Sequence, residues 1–162
     1  MKAKPILGIS MGDPYGNGPE ITVRALADRA IYDRCRPLVV GVDSVSLLRP
    51  GDDGLIAVTA SHGEALATLG TDGVGPTPAL VTFNDAGIGK DGAGTGRLPL
   101  LQARGIPALT VSAGSARIGD ARSCHDEGVI SCANALALEL GGHPGTPLKT
   151  VIDALLAAHD TH

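Results

Sequence analysis

Gly87-Ile88-Gly89-Lys90-Asp91-Gly92 has the G-x-G-x-x-G spacing that lets a backbone approach a pyrophosphate, and it follows an apolar run as a dinucleotide loop should. Gly87 and Gly89 are therefore candidate cofactor contacts. The ribose-binding acid expected after the next strand is replaced by Ser112, Ser115 and Arg117, a set that suits a 2′-phosphate. In a chain with 23 glycines such a match also arises from composition alone. Lys90 is followed by Asp91 rather than Ser or Thr, which excludes a Walker A loop. A second run spans Ser10 to Glu20, with Gly12, Asp13, Gly16 and Gly18 as candidate cofactor contacts. Its glycines permit φ angles that a Cβ disfavours. Asn17 or Gly18 can cap a following helix, and Pro19 suits its first position. Free amides at the positive end of the helix dipole would favour an anion. The alternative is a tight turn between strand and helix with no ligand.

Candidate catalytic residues are His62, Asp85, Arg117 and Asp120. Ser61 and His62 are adjacent, so their side chains diverge and do not by themselves make a nucleophile and base. His62 can instead act as a general base if Asp85 or Asp120 reaches it from a neighbouring loop; otherwise it is a surface histidine. Asp85 with Asp91, or Asp85 with Asp120, would also make a carboxylate pair for Mg²⁺. Cys35, Cys124 and Cys132 contain no Cys-x-x-Cys pair and read as idle thiols.

The elements that must hold these residues alternate along the chain. Residues 5–10 and 37–42 read as buried parallel strands flanking a helix over 19–31. Arg49 to Gly54 is a turn cluster and the best seam. Strands follow at 55–59, 79–83 and 106–112, with helices over 64–69 and 94–104. Val129, Ala133, Leu136 and Leu140 recur at helical spacing, and Gly141 closes that helix. Residues 123–128 read as a polar loop entering it, with Ser123 or Asp126 as cap. A last helix starts at Thr146-Pro147 and faces inward through Leu148, Val151, Ile152 and Leu155. The expected fold is α/β, an open and mostly parallel sheet with helices on both faces, a three-layer, Rossmann-like arrangement. Loops at 10–20, 61–63, 84–92 and 112–120 would share the carboxyl edge of that sheet, where such folds bind ligands.

The stretch Pro5-Ile-Leu-Gly-Ile-Ser-Met-Gly-Asp-Pro-Tyr-Gly-Asn-Gly-Pro-Glu-Ile resembles the N-terminus of the PdxA family, the 4-hydroxythreonine-4-phosphate dehydrogenases. Ala25-Leu26, Ile31-Tyr32 and Cys35-Arg-Pro-Leu-Val-Val-Gly41 continue the resemblance, which covers residues 4 to about 48. It is closest to the branch that oxidises phosphorylated sugar acids. The resemblance implies NAD, a divalent metal (Zn or Mg) bound through three histidines, and oxidation of a phosphorylated hydroxy acid followed by decarboxylation. Cys124-His125-Asp126-Glu127-Gly128 is similar to a His-Asp-Gln-Gly segment bearing one of those histidines, with Glu in place of Gln, so His125 is the candidate metal ligand. The other two metal histidines have no clear counterparts. Residues 79–131 resemble an uncharacterised bacterial family.

The totals narrow the classes. At 162 residues the chain is read as one domain: a PdxA-like βαβ unit at 1–48, a second α/β portion at 55–145, and a C-terminal helix and tail at 146–162. A net charge of −4 and only Tyr15, Tyr32 and Phe83 as aromatics argue against nucleic acid. No apolar run approaches the ~20 residues of a membrane span. The lysine pair at the N-terminus is followed by no signal-peptide core, so a cytoplasmic location is expected. Apolar helix faces left over from a shortened fold predict a homodimer. Three functions compete: a PdxA-like dehydrogenase, a small α/β enzyme acting on a small acid or phosphate ester, and a non-catalytic module that binds a small anion.

Overall fold

The computed structural model describes residues 6–10, 36–65 and 72–159, with side chains for 39–65 and 72–158. Continuous apolar runs bounded by glycine and polar turns produce strands β1 (Ile6–Ser10), β2 (Arg36–Val42), β3 (Ile56–His62), β4 (Leu80–Asn84) and β5 (Ala108–Val111). With β6 (Ile130–Ala133) they form one six-stranded sheet in the order β1-β2-β3-β4-β5-β6. The first five strands are parallel and β6 is antiparallel to β5. The chain therefore has an α/β fold with a mostly parallel sheet.

Both faces of the sheet are covered. One face, with Val58, Ala60, Leu80, Leu109 and Val111, packs against helix α2 (Ala121–Glu127) and helix α4 (Leu148–His159). The other, with Val42, Ala57, Val81 and Phe83, packs against helix α1 (Arg97–Ala103) and against Val45, Leu48 and Val74 from the connections. Leu148, Val151 and Ile152 are buried at the i, i+3, i+4 spacing of an amphipathic helix. Burying each contributes about 1.5–3 kcal/mol. α1 ends where Gly105 takes φ +73° and the Ile106 and Gly105 amides return to the carbonyls of Leu101 and Gln102. That is the Schellman arrangement, which glycine alone adopts without strain.

The C-terminal third departs from the sequence expectation. Residues 129–140 do not form one helix: β6 occupies Ile130–Ala133, and only Ala135–Glu139 (α3) is helical. Asn134 separates the two. Its side-chain oxygen accepts from the amides of Ala137 and Ala108, and its NH₂ donates to the Ile106 carbonyl, which stops the strand and caps the helix. Residues 121–127 are helical rather than looped, and the cap is Asp120, which accepts from Ser123 N at 2.9 Å. The expected helices over 19–31 and 64–69 lie wholly or mostly outside the described residues.

Helix α1 also fixes the β3–β4 connection. Arg97 is 3% exposed, lies 5.3 Å from the centre of the Phe83 ring, and donates to the carbonyls of Glu64 and Asp72. Burial lowers its pKa, while the charges of Asp72 and Glu64 oppose that shift. Arg104 donates to both Asp72 carboxylate oxygens and to the carbonyls of Val74 and Pro76. Two guanidinium groups thus take up four backbone carbonyls of that connection.

Gly94 marks the tightest backbone approach. A Cβ there would collide with the Asp85 carbonyl, whereas one at Gly75 meets nothing within 4 Å. Gly94→Ala should destabilise the fold by about 1–3 kcal/mol in urea unfolding. Gly75→Ala should stay within about 0.5 kcal/mol of the parent.

Candidate functional site

Parallel strands deliver their carboxyl ends to one edge. His62 is in register with Asn84, and Asn84 with Val111, so the loops after β3, β4 and β5 leave the sheet side by side. They are joined by hydrogen bonds. Gly63 N donates to the Asn84 carbonyl, and Gly119 N to the Ala60 carbonyl. Ser61 Oγ accepts from Val45 N at 2.9 Å, and Asp43 Oδ1 accepts from Ala121 N at 2.9 Å.

His62 is half-exposed. Its Nδ1 accepts from Glu64 N at 3.3 Å and lies 3.8 Å from the Glu64 carboxylate. An accepting Nδ1 places the proton of the neutral ring on Nε2. The carboxylate beside His62 Nδ1 is thus that of Glu64, beyond hydrogen-bond distance, and not that of Asp85 or Asp120. Asp85 is 3% exposed, and its Oδ1 accepts from Gly87 N at 2.8 Å and Ala113 N at 2.9 Å. Asp120 caps α2 and lies 3.4 Å from the Arg117 guanidinium, whose side chain is 80% exposed. An ion pair that open contributes little to stability and leaves Arg117 available to an anion.

The loop at 84–92 is strained. Ala86, Gly87, Ile88, Gly89, Asp91 and Gly92 all have φ between +49° and +79°. Holding a residue with a Cβ there costs about 1–3 kcal/mol. Gly87 and Gly89 do follow a strand, but no α-helix opens directly from them. A 3₁₀ segment over Lys90–Thr95, broken at Asp91 and Gly92, intervenes before α1 begins at Arg97. The geometry therefore differs from a dinucleotide loop, which runs straight into its helix. Gly12, Asp13, Gly16 and Gly18 lie outside the described residues.

In the loop at 112–120 the backbone amides face inward. Gly114 N donates to Ser112 Oγ, Ser115 N and Ala116 N to the Ser112 carbonyl, and Arg117 N to Ser123 Oγ. An anion on this loop must be read by side chains such as Arg117, not by an amide cradle. His125 sits in the last turn of α2 with Nδ1 2.6 Å from Asp126 Oδ1. Among the described residues, no three His, Cys, Asp or Glu side chains are placed to hold a metal ion. The donor set for a catalytic metal, usually three protein ligands, is thus not met by His125 and its neighbours. Among the described residues no helix is long and apolar enough to cross a membrane.

Sequence reasoning missed Asn84, Asp43 and Ser61. Each is a polar residue at the end of a predicted strand, the position from which a side chain reaches a neighbouring loop.

The chain is similar to the 4-hydroxythreonine-4-phosphate dehydrogenase of Desulfosudis oleivorans, with 56% identity over 41 residues, 25% of this chain and 12% of that protein. It is similar to the enzyme of the same name from Desulforapulum autotrophicum, with 57% identity over 42 residues, 26% of this chain and 12% of that protein. The chain thus matches about an eighth of the length of these curated relatives. It carries a PdxA-like stretch, as the residues between 4 and 48 led us to expect. No family model matches the chain. No solved structure matches it.

Cys124 adds no nucleophile to this edge. It is fully buried in α2, and burial raises its thiol from 9.0 to about 11, with the Asn84 side chain opposing. A thiol neutral in the fold but ionisable when unfolded stabilises fully below the unfolded value. That contribution falls as pH rises from 9.0 through about 11. Iodoacetamide at pH 8 should leave Cys124 unmodified in the folded protein and alkylate it in urea, as read by peptide mapping. Labelling at equal rates in both states would show the thiol to be accessible.

Proposed function

We propose that the chain binds a small phosphorylated hydroxy acid at the carboxyl edge of its sheet, in a site descended from that of the PdxA-like dehydrogenases. The observation that supports this most is the gathering of His62, Asp85, Arg117 and Asp120 onto one edge by parallel strands in register. Arg117 supplies an open cation for a phosphate or carboxylate, and His62, through its Nε2 proton, a donor to a hydroxyl or phosphate oxygen. The names of the relatives supply the substrate class. They name dehydrogenases of a phosphorylated hydroxy amino acid, and the short matched stretch makes this a reading by analogy.

NAD- and metal-dependent oxidation is the activity this descent suggests. The described residues hold no metal donor set, so no oxidative step is assigned to them. A second reading, a binder or small-acid enzyme that uses neither NAD nor metal, is favoured by a specific observation. The carboxylates of Asp85 and Asp120 serve as acceptors for backbone amides of the loops and of the α2 N-terminus, which suits fixed structure better than proton transfer.

Thermal shift separates the two readings. Purified protein is heated with inorganic phosphate, a phosphorylated hydroxy acid, NAD or NADP, each with and without Zn²⁺ or Mg²⁺. Saturation at about 100 times the dissociation constant adds roughly 2.7 kcal/mol, which a melting curve resolves. The proposal expects a shift with the phosphorylated acid that is reduced in Arg117→Ala. A further shift with NAD and metal would favour the dehydrogenase. No shift with any phosphorylated compound would overturn the proposal.

A further inference from the structure

We propose that Asn84 and Asp85 are a positioning pair that makes the loops at 86–92 and 112–120 one mechanical unit. Both are buried at the carboxyl end of β4, and each bonds both loops. Asn84 Oδ1 accepts from Ala86 N at 2.9 Å, while its Nδ2 donates to the Ala116 carbonyl at 3.0 Å. Asp85 Oδ1 accepts from Gly87 N in the first loop and Ala113 N in the second. Four hydrogen bonds from two consecutive residues thus cross-brace two segments that are distant in sequence.

The brace explains how the first loop keeps its strained backbone. Ala86 and Ile88 have φ of +49° and +66°. The Ala86 amide is held by Asn84, the Gly87 amide by Asp85, and the Ile88 amide by the Asp85 carbonyl. Strain of this kind persists only where the surroundings over-determine it. The second loop takes part because it shares the same two side chains, and its far end is anchored by Ser123 Oγ, which accepts from Arg117 N. Loosening that anchor should be felt at Ala86 and Gly87, which do not bond Ser123. Asp85 is thus a positioning residue, and Asn84 joins it. The coupling stands on geometry alone; its use in ligand binding rests on the site proposed above.

Amide hydrogen exchange of the whole chain, followed by NMR, tests the pair. Ser123→Ala should speed exchange at Arg117 and, together with it, at Ala86 and Gly87 by about tenfold, with Val81 and Leu109 in the core unchanged. Faster exchange at Arg117 with Ala86 and Gly87 at the parent rate would overturn the coupling. If Ser123→Ala unfolds or loosens the core as well, Asn84→Ala is read at Ser115 and Gly119, whose amides bond Ser112 and Ala60. Acceleration there supports the coupling, and parent rates there overturn it. Inorganic phosphate is then added to the parent protein. Joint protection of both loops supports the coupling and the site, and protection of one loop alone overturns the coupling. Coupled loops that phosphate leaves unchanged would keep the brace.

Discussion

The handedness of the crossover governs this architecture. A parallel strand, its connection and the next parallel strand wind right-handed in nearly every sheet. When such strands are laid down in sequential order, every connection falls on the same face. From β2 to β5 the order is sequential, and Val45, Leu48, Val74, Leu98 and Leu101, from the three connections, all pack on one side. The opposite side would be bare apolar sheet unless chain from elsewhere covered it. That cover comes after β5. The excursion through α2 begins and ends at the carboxyl edge, where Ser112 N bonds the Val129 carbonyl. The next strand can therefore only run back antiparallel, and α4 then completes the second layer over Val58, Leu80 and Leu109.

The same winding concentrates loops at one edge, and their polar backbone must be satisfied. Side chains at the strand ends do it. Asp43, Ser61, Asn84 and Asp85 each hold the backbone of a segment other than their own. This is why acidic residues that look catalytic in sequence have structural duties here. A carboxylate after a strand is equally suited to proton transfer and to accepting amides, and residue type alone does not separate the two. His62 differs, because its ring is half-exposed and its bond to Glu64 N leaves Nε2 uncommitted by any hydrogen bond among the described residues.

Legibility followed the strength of the local pattern. Buried parallel strands read clearly, since Leu80–Asn84 and Ala108–Val111 are short apolar runs between glycine-bearing turns. The pairing of β1 with β2 was legible for the same reason. β6 was not, because Val129, Ala133, Leu136 and Leu140 satisfy a helical period while Ile130–Ala133 forms a strand. The missed signal was Asn134, a strong N-cap in the middle of the supposed helix. The glycine pattern at 87–92 is a different case. Its spacing matches a dinucleotide loop, but spacing does not reveal that five of its six residues take positive φ or that the helix waits until Arg97.

The register of β1 bears on how the PdxA-like stretch relates to the rest of the chain. Ser10 is paired with Gly41, two residues before Asp43, and β2 continues in parallel register through β3 to the edge that carries His62. β1 therefore ends, at Ser10, on the same edge as the loops of His62, Asp85 and Arg117. A parallel sheet has one carboxyl edge, so two segments with different sequence affinities need not coevolve a meeting place; the strand direction supplies it.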